Sequence, residues 1–245
     1  MSWMFPRSSG IHAPETREWI LGALYLPVFL LFLNFAILTY FPALGFPLTE
    51  PRNYFFANLL YMTVNFAVML LIFRRTLWQS LQEFEGKMLL SVLIGVGMCY
   101  GANLVLTTAY TVLDIMPENY NQEAVNSLLG GYPLAMTLCT VVLAPLAEEC
   151  LFRGVLFAPL ARRCLPAAYA LSMFLFAGMH VFQFLGSMTA ANTILCLSLY
   201  LPASFSLCWV YQKTGNIWAG IFLHMFIKFQ SVLASLLRSL MQAFL

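Results

Sequence analysis

Apolar stretches long enough to cross a bilayer follow one another along this sequence with only short polar segments between them. They lie at about 19 to 41, 54 to 73, 88 to 113, 132 to 160, 165 to 185, 189 to 211 and 216 to 237. A helix rises about 1.5 Å per residue and needs roughly 20 apolar residues to span the hydrocarbon core. Lipid offers no partner to a backbone N–H or C=O, so each stretch must satisfy its own backbone as a helix. The expected fold class is all-α, a polytopic membrane helical bundle of about seven or eight transmembrane helices. Composition agrees, because 61% of the 245 residues are hydrophobic, only 9% are charged, and the mean hydropathy is +0.81. A soluble chain could not keep a wettable surface at those values.

Little is left over for anything else. No separate soluble domain fits, and a net charge of +2 without a basic run argues against nucleic-acid binding and against a polybasic tail. Membrane lipid, and whatever enters it, is the expected partner. The six cysteines (Cys99, Cys139, Cys150, Cys164, Cys196, Cys208) form no CxxC pair and are read as small packing residues rather than a disulfide framework or a zinc ribbon. The polar, proline-bearing N-terminus does not have the layout of a cleaved signal peptide, so the first span is expected to be retained. With that end in the cytoplasm, Arg7, Arg17, Arg74, Arg75, Lys87, Arg162, Arg163 and Lys213 fall inside, and Arg52 and Arg238 outside, as the positive-inside rule prefers.

Two polar connections have helical character. Residues 76 to 87 put Leu77, Trp78, Leu81 and Phe84 on one helical face, as an interfacial segment would. Residues 114 to 131 read as a short surface helix ended by a turn at Gly130-Gly131. A plain loop is the competing reading for both.

The chemistry-bearing residues lie inside the spans, where an ionisable side chain facing lipid costs on the order of 2.5 to 3.5 kcal/mol. The fourth span, in LAPLAEECLFRGVLF, carries Glu148, Glu149 and Arg153. Glu149 and Arg153 have the four-residue spacing of a helical ion pair, whereas Glu148, turned about 100° away, has no obvious partner on its own helix. The fifth span supplies His180 and the seventh His224 and Lys228. Counted from the nearest cytoplasmic ends, Glu148 lies roughly 20 Å deep, His180 roughly 22 Å and His224 roughly 13 Å. The third histidine, His12, sits in the polar N-terminal tail and is read as a solvated surface residue.

A carboxylate beside an imidazole, shielded from bulk water, suffices to deprotonate a water for attack on an amide carbonyl. A second histidine could donate to the developing oxyanion, and Arg153 or Lys228 could supply the positive charge that keeps a shielded carboxylate ionised. The structural alternative is that the ion pair and the histidines only tie helices together. Serine catalysis lacks a GxSxG turn, and the single aspartate, Asp114, lies at a span boundary. A proton-relay transporter lacks the internal repeats expected of one. A zinc variant, with His180, His224 and a glutamate as ligands, also stays open.

These residues resemble the CAAX protease and bacteriocin-processing family of intramembrane peptidases, which includes the type 2 CAAX prenyl endopeptidase. The EExxxR motif is matched by Glu148-Glu149-Cys-Leu-Phe-Arg153, FxxxH by Phe176-Ala-Gly-Met-His180, and the third motif by His224, preceded by YQKTGNIWAGIFLH. Four residues after His224 the family has Asn or Asp; here Lys228 stands. The resemblance covers residues 130 to 237 and divides the chain into an N-terminal part, 1-129, and a catalytic core of four spans, 130-245. It implies an intramembrane endopeptidase acting on a membrane-presented or lipidated peptide without a cofactor. In that reading Glu148 and His180 activate water, His224 belongs to the oxyanion hole, and Glu149, Arg153 and Phe176 support the site. Lys228 has three readings: an oxyanion donor, a partner that quenches Glu148, or a side chain snorkelling to the outer interface. A non-enzymatic scaffold, immunity or regulatory protein is the alternative function. The compact chain fits a bacterial plasma membrane.

Overall fold

The computed structural model describes residues 14–243, so the readings of Arg7 and His12 lie outside the described residues. Nine helices are found among those residues: α1 Thr16–Ala43, α2 Pro51–Ile72, α3 Arg74–Gln82, α4 Met88–Val112, α5 Tyr120–Gly131, α6 Pro133–Ala161, α7 Leu165–Ser187, α8 Ala190–Thr214 and α9 Ile217–Ala243. Seven of them, all but α3 and α5, are long and apolar enough to cross a membrane, and the protein is an integral membrane helical bundle. The bundle is dressed in apolar side chains turned outward, among them Leu24, Phe35, Leu104, Val105 and Ile194, as a lipid-facing surface requires. The most buried span is α6, and it carries Glu148, Glu149 and Arg153.

Close approach of α4 to α8 and α9 depends on Gly95, where a Cβ would lie 2.6 Å from a Val210 methyl and 2.8 Å from Leu223. Small residues allow that proximity where lipid supplies no hydrophobic drive for helix association.

The interfacial helix α3 is anchored rather than floating. Its N-terminal N–H groups lack intrahelical acceptors, and Glu18, buried near the start of α1, supplies one. Its carboxylate accepts from the Arg75 N–H at 3.0 Å, the Thr76 N–H at 3.3 Å and the Thr76 hydroxyl. Leu77 faces the core while Trp78 and Leu81 are exposed, so the expected apolar face is split between protein and lipid. Glu18→Ala removes an acceptor from a buried helix terminus and should lower stability by about 1–3 kcal/mol, read as a fall in thermal midpoint. The exposed Arg75–Glu15 pair adds little, so Glu15→Ala should leave that midpoint in place.

Two expectations need correction. The helix α5 does not end on a glycine turn: Gly130 and Gly131 are within it, the positive-φ glycines being Gly45 and Gly215. It does lie at the surface, with Glu123, Asn126 and Ser127 exposed, while Leu128 and Leu129 are buried and it bonds to α9, with Ser231 donating to Gln122 and Ser235 to Asn126. Cys164 is exposed, at the N-cap of α7, and is not a packing residue; the other five cysteines are buried.

Candidate active site in the bundle interior

The helix α6 departs from regular winding on either side of Glu148-Glu149, which lie in its α-helical part Ala144–Glu149. Residues Cys139–Leu143 and Cys150–Phe157 are π-helical, a wide winding that recurs at functional sites. Two carbonyls of the second π segment take donors from other helices: Val155 from the Trp19 indole at 3.0 Å and Phe152 from the Ser172 hydroxyl at 3.2 Å. Polar groups freed by the wide turn are thus satisfied.

Glu149 and Arg153 form the ion pair their spacing predicts, with Nε to Oε2 at 3.1 Å and both side chains fully buried. Arg153 also donates to the Ser204 carbonyl on α8 at 3.2 Å and lies 4.9 Å from the centre of the Phe176 ring. The other Glu149 oxygen accepts from His224 Nδ1 at 2.8 Å. Gly220, one turn before His224, admits this carboxylate: a Cβ there would stand 3.1 Å from Glu149 Oε2.

The depth of His224 and Lys228 is set at the start of α9. Gly215, at φ 67°, ends α8, as a residue without a Cβ can. Asn216 then accepts from the Trp218 N–H at 2.9 Å, and the Trp218 indole donates to the Leu77 carbonyl of α3 at 2.7 Å. The turn, tryptophan and histidine noted in the sequence therefore form one device that fixes α9 axially.

His180 sits in the last α-helical turn of α7. Its Nδ1 donates to the Phe176 carbonyl at 2.9 Å, leaving Nε2 toward Lys228 Nζ at 3.4 Å. Phe176 also packs against both imidazoles, at 4.9 Å from His180 and 5.5 Å from His224. His180 also stacks on Tyr200 at 4.6 Å, and the Tyr200 hydroxyl donates to Asn119, beside α5, at 3.0 Å.

Glu148, His180 and Lys228 share the wall of a cavity of about 120 Å³ between α2, α5, α6, α7 and α9. On the order of 10 Å³ of such space suffices for a water, so several fit. Glu148 Oε2 is buried there without a hydrogen-bond partner; His224 Nε2 approaches it at 3.8 Å, too long for a direct bond. Glu149, Arg153, Phe176 and His224 lie behind this wall. Lys228 corrects one expectation, for it does not snorkel outward but contacts His180, and no ion pair among the described residues joins it to Glu148. Among the described residues no group of three or more His, Cys, Asp or Glu side chains is arranged to hold a metal.

Sequence reasoning missed Tyr200, Ser204 and Gly220, whose contacts join helices far apart in the chain and leave no local signature.

Residues 130–230 match the family model described as Type II CAAX prenyl endopeptidase Rce1-like. This stretch is similar to that family. It contains every charged and aromatic residue of the cluster, so the family resemblance read from three short motifs holds over the α6–α9 part of the bundle. The chain is also similar to YdiL of Bacillus subtilis (strain 168), a candidate membrane peptidase, with 29% identity over 119 residues. That match covers 49% of this chain and 44% of YdiL, so the chain spans less than half of that relative. No solved structure matches the chain.

Proposed function

We propose that the protein is an intramembrane endopeptidase that hydrolyses a peptide bond of a membrane-presented or lipidated peptide, with water activated by glutamate and histidine. The observation that carries this reading is Glu148, whose Oε2 is buried without a hydrogen-bond partner and which lines one cavity with His180 and Lys228. A buried acceptor without a donor is unfavourable by about 1–3 kcal/mol or more, and a water held there for attack on a carbonyl satisfies it. The match to the Rce1-like family model and the similarity to a candidate membrane peptidase support the coarser reading, a membrane peptidase.

Glu148 is the proton acceptor in this proposal, with His180 beside it. His224 belongs to the oxyanion hole, held at Nδ1 by Glu149, and the Glu149–Arg153 pair keeps that histidine fixed. Lys228 takes the place of the family's neutral donor and offers an ammonium to the oxyanion, where charge is worth most because water is excluded. The protein is placed by this reading in a bacterial plasma membrane with its N-terminus in the cytoplasm.

The test is cleavage of a panel of prenylated CaaX peptides and bacterial leader peptides by the purified protein, before and after exhaustive chelation. Activity that survives chelation is expected and removes the zinc variant. Lys228→Asn should keep cleavage within a few-fold, whereas Lys228→Met should lower kcat by about 10²–10³ through loss of an oxyanion donor. A gain of activity in Lys228→Met would instead mean that the lysine blocks His180. Absence of cleavage across the whole panel would favour the scaffold reading.

A further inference from the structure

Two polar side chains in the same cavity have no role in the chemistry above and no partner for their free atoms. Asn65 on α2 is 2% exposed and Thr140 on α6 is 6% exposed; both line the cavity that Glu148, His180 and Lys228 line. Asn65 Nδ2 and Thr140 Oγ1 are buried without hydrogen bonds. Neither has a structural excuse. The Asn65 carbonyl oxygen accepts from the Tyr25 hydroxyl at 2.9 Å, which locks the amide and leaves its N–H₂ as the free end.

Thr140 contrasts with Thr107, Thr111, Thr193 and Thr214, whose hydroxyls all bond back to a carbonyl four residues earlier. That is the ordinary refuge of a helical threonine. Thr140 lies in the π segment Cys139–Leu143 and makes no such bond. Buried unsatisfied polar groups are few in native proteins and call for an explanation. Two donors on one cavity wall, beside an unpartnered carboxylate, have a common one.

We infer that Asn65 and Thr140 are substrate-contacting residues that donate hydrogen bonds to main-chain carbonyl oxygens of a peptide held extended in this cavity. This rests on the peptidase reading and adds to it the part of the substrate that is recognised. An acyl chain has no acceptor for these donors, whereas an extended peptide presents carbonyls about every 3.3 Å. Thr140 lies eight residues from Glu148 on α6, about 12 Å along the axis. That separation corresponds to roughly three or four residues of extended peptide between the Thr140 contact and the bond facing Glu148.

The test uses the full chain in phospholipid nanodiscs with two fluorescent probes, a farnesylated CaaX peptide and an unmodified leader peptide. Binding is measured in a Glu148→Gln background, so that turnover does not enter. Thr140→Val and Asn65→Leu should each weaken binding of a peptide probe about three- to tenfold, the range for one neutral hydrogen bond, while the thermal midpoint without peptide stays level or rises in Thr140→Val and falls slightly in Asn65→Leu, which also loses the acceptor of the Tyr25 hydroxyl. An unchanged Kd in both variants overturns the proposal. So does a midpoint lowered in both, which would mark the two groups as structural, and so does failure of both probes to bind the wild-type chain. Cleavage that survives Glu148→Ala would overturn the catalytic reading instead, and leaves the binding ratios to decide the subsites.

Discussion

Replacing Glu148 by alanine should abolish peptide cleavage while the protein remains folded and at least as resistant to heat. Positioned acid–base groups contribute about 10²–10⁴ in rate, and Glu148 is the one carboxylate on the cavity wall. The Glu149 oxygens are already taken by Arg153 and His224, so no neighbour can replace it. Stability should not suffer, because the carboxylate makes no hydrogen bond at Oε2 and its burial is unfavourable by itself. Glu148→Gln, nearly isosteric, should lose as much activity, which would tie the loss to the proton acceptor rather than to shape. Residual cleavage above one hundredth of wild type in either variant would remove Glu148 from its role.

Loss of Arg153 should have the largest effect on stability. The guanidinium is fully buried, pairs with a fully buried carboxylate, bonds to α8 and lies over an aromatic face. Removing one partner of a buried ion pair strands the other charge and typically costs 3–5 kcal/mol. Arg153→Met is therefore expected to unfold at a much lower temperature in detergent and to accumulate poorly. Since replacing both partners by apolar groups is often near neutral, Arg153→Met with Glu149→Leu should recover a large part of the loss. It should not recover cleavage, because His224 Nδ1 then has no acceptor to hold it. Equal destabilisation in the single and double variants would show that the pair itself is not what Arg153 sustains.

The membrane fold was legible because its signal is local. A run of about 20 apolar residues between polar ends states its own conformation, since a backbone in lipid must hydrogen-bond within the segment. The Glu149–Arg153 pair was legible for the same reason, as both partners sit on one helix at a spacing that geometry interprets. Even the odd position of Glu148, turned away from that pair, follows from the helical angle.

What the sequence left open lies between helices. Three readings of Lys228 were equally open in the residues, and the separation of α7 and α9 gives it a contact that none of them named, Nζ at 3.4 Å from His180 Nε2. Likewise α5 has an ordinary surface composition, yet packs onto α9 and closes the cavity. Nothing at Asn65 or Thr140 marks them in the chain; their burial without partners exists only once α2 and α6 meet. The sequence by itself determined the spans and the charges that had to be hidden in them. Only the packing of the helices decided which of those charges found partners and which were left facing a cavity, because a hydrogen bond between helices depends on angles and separations that no single helix contains.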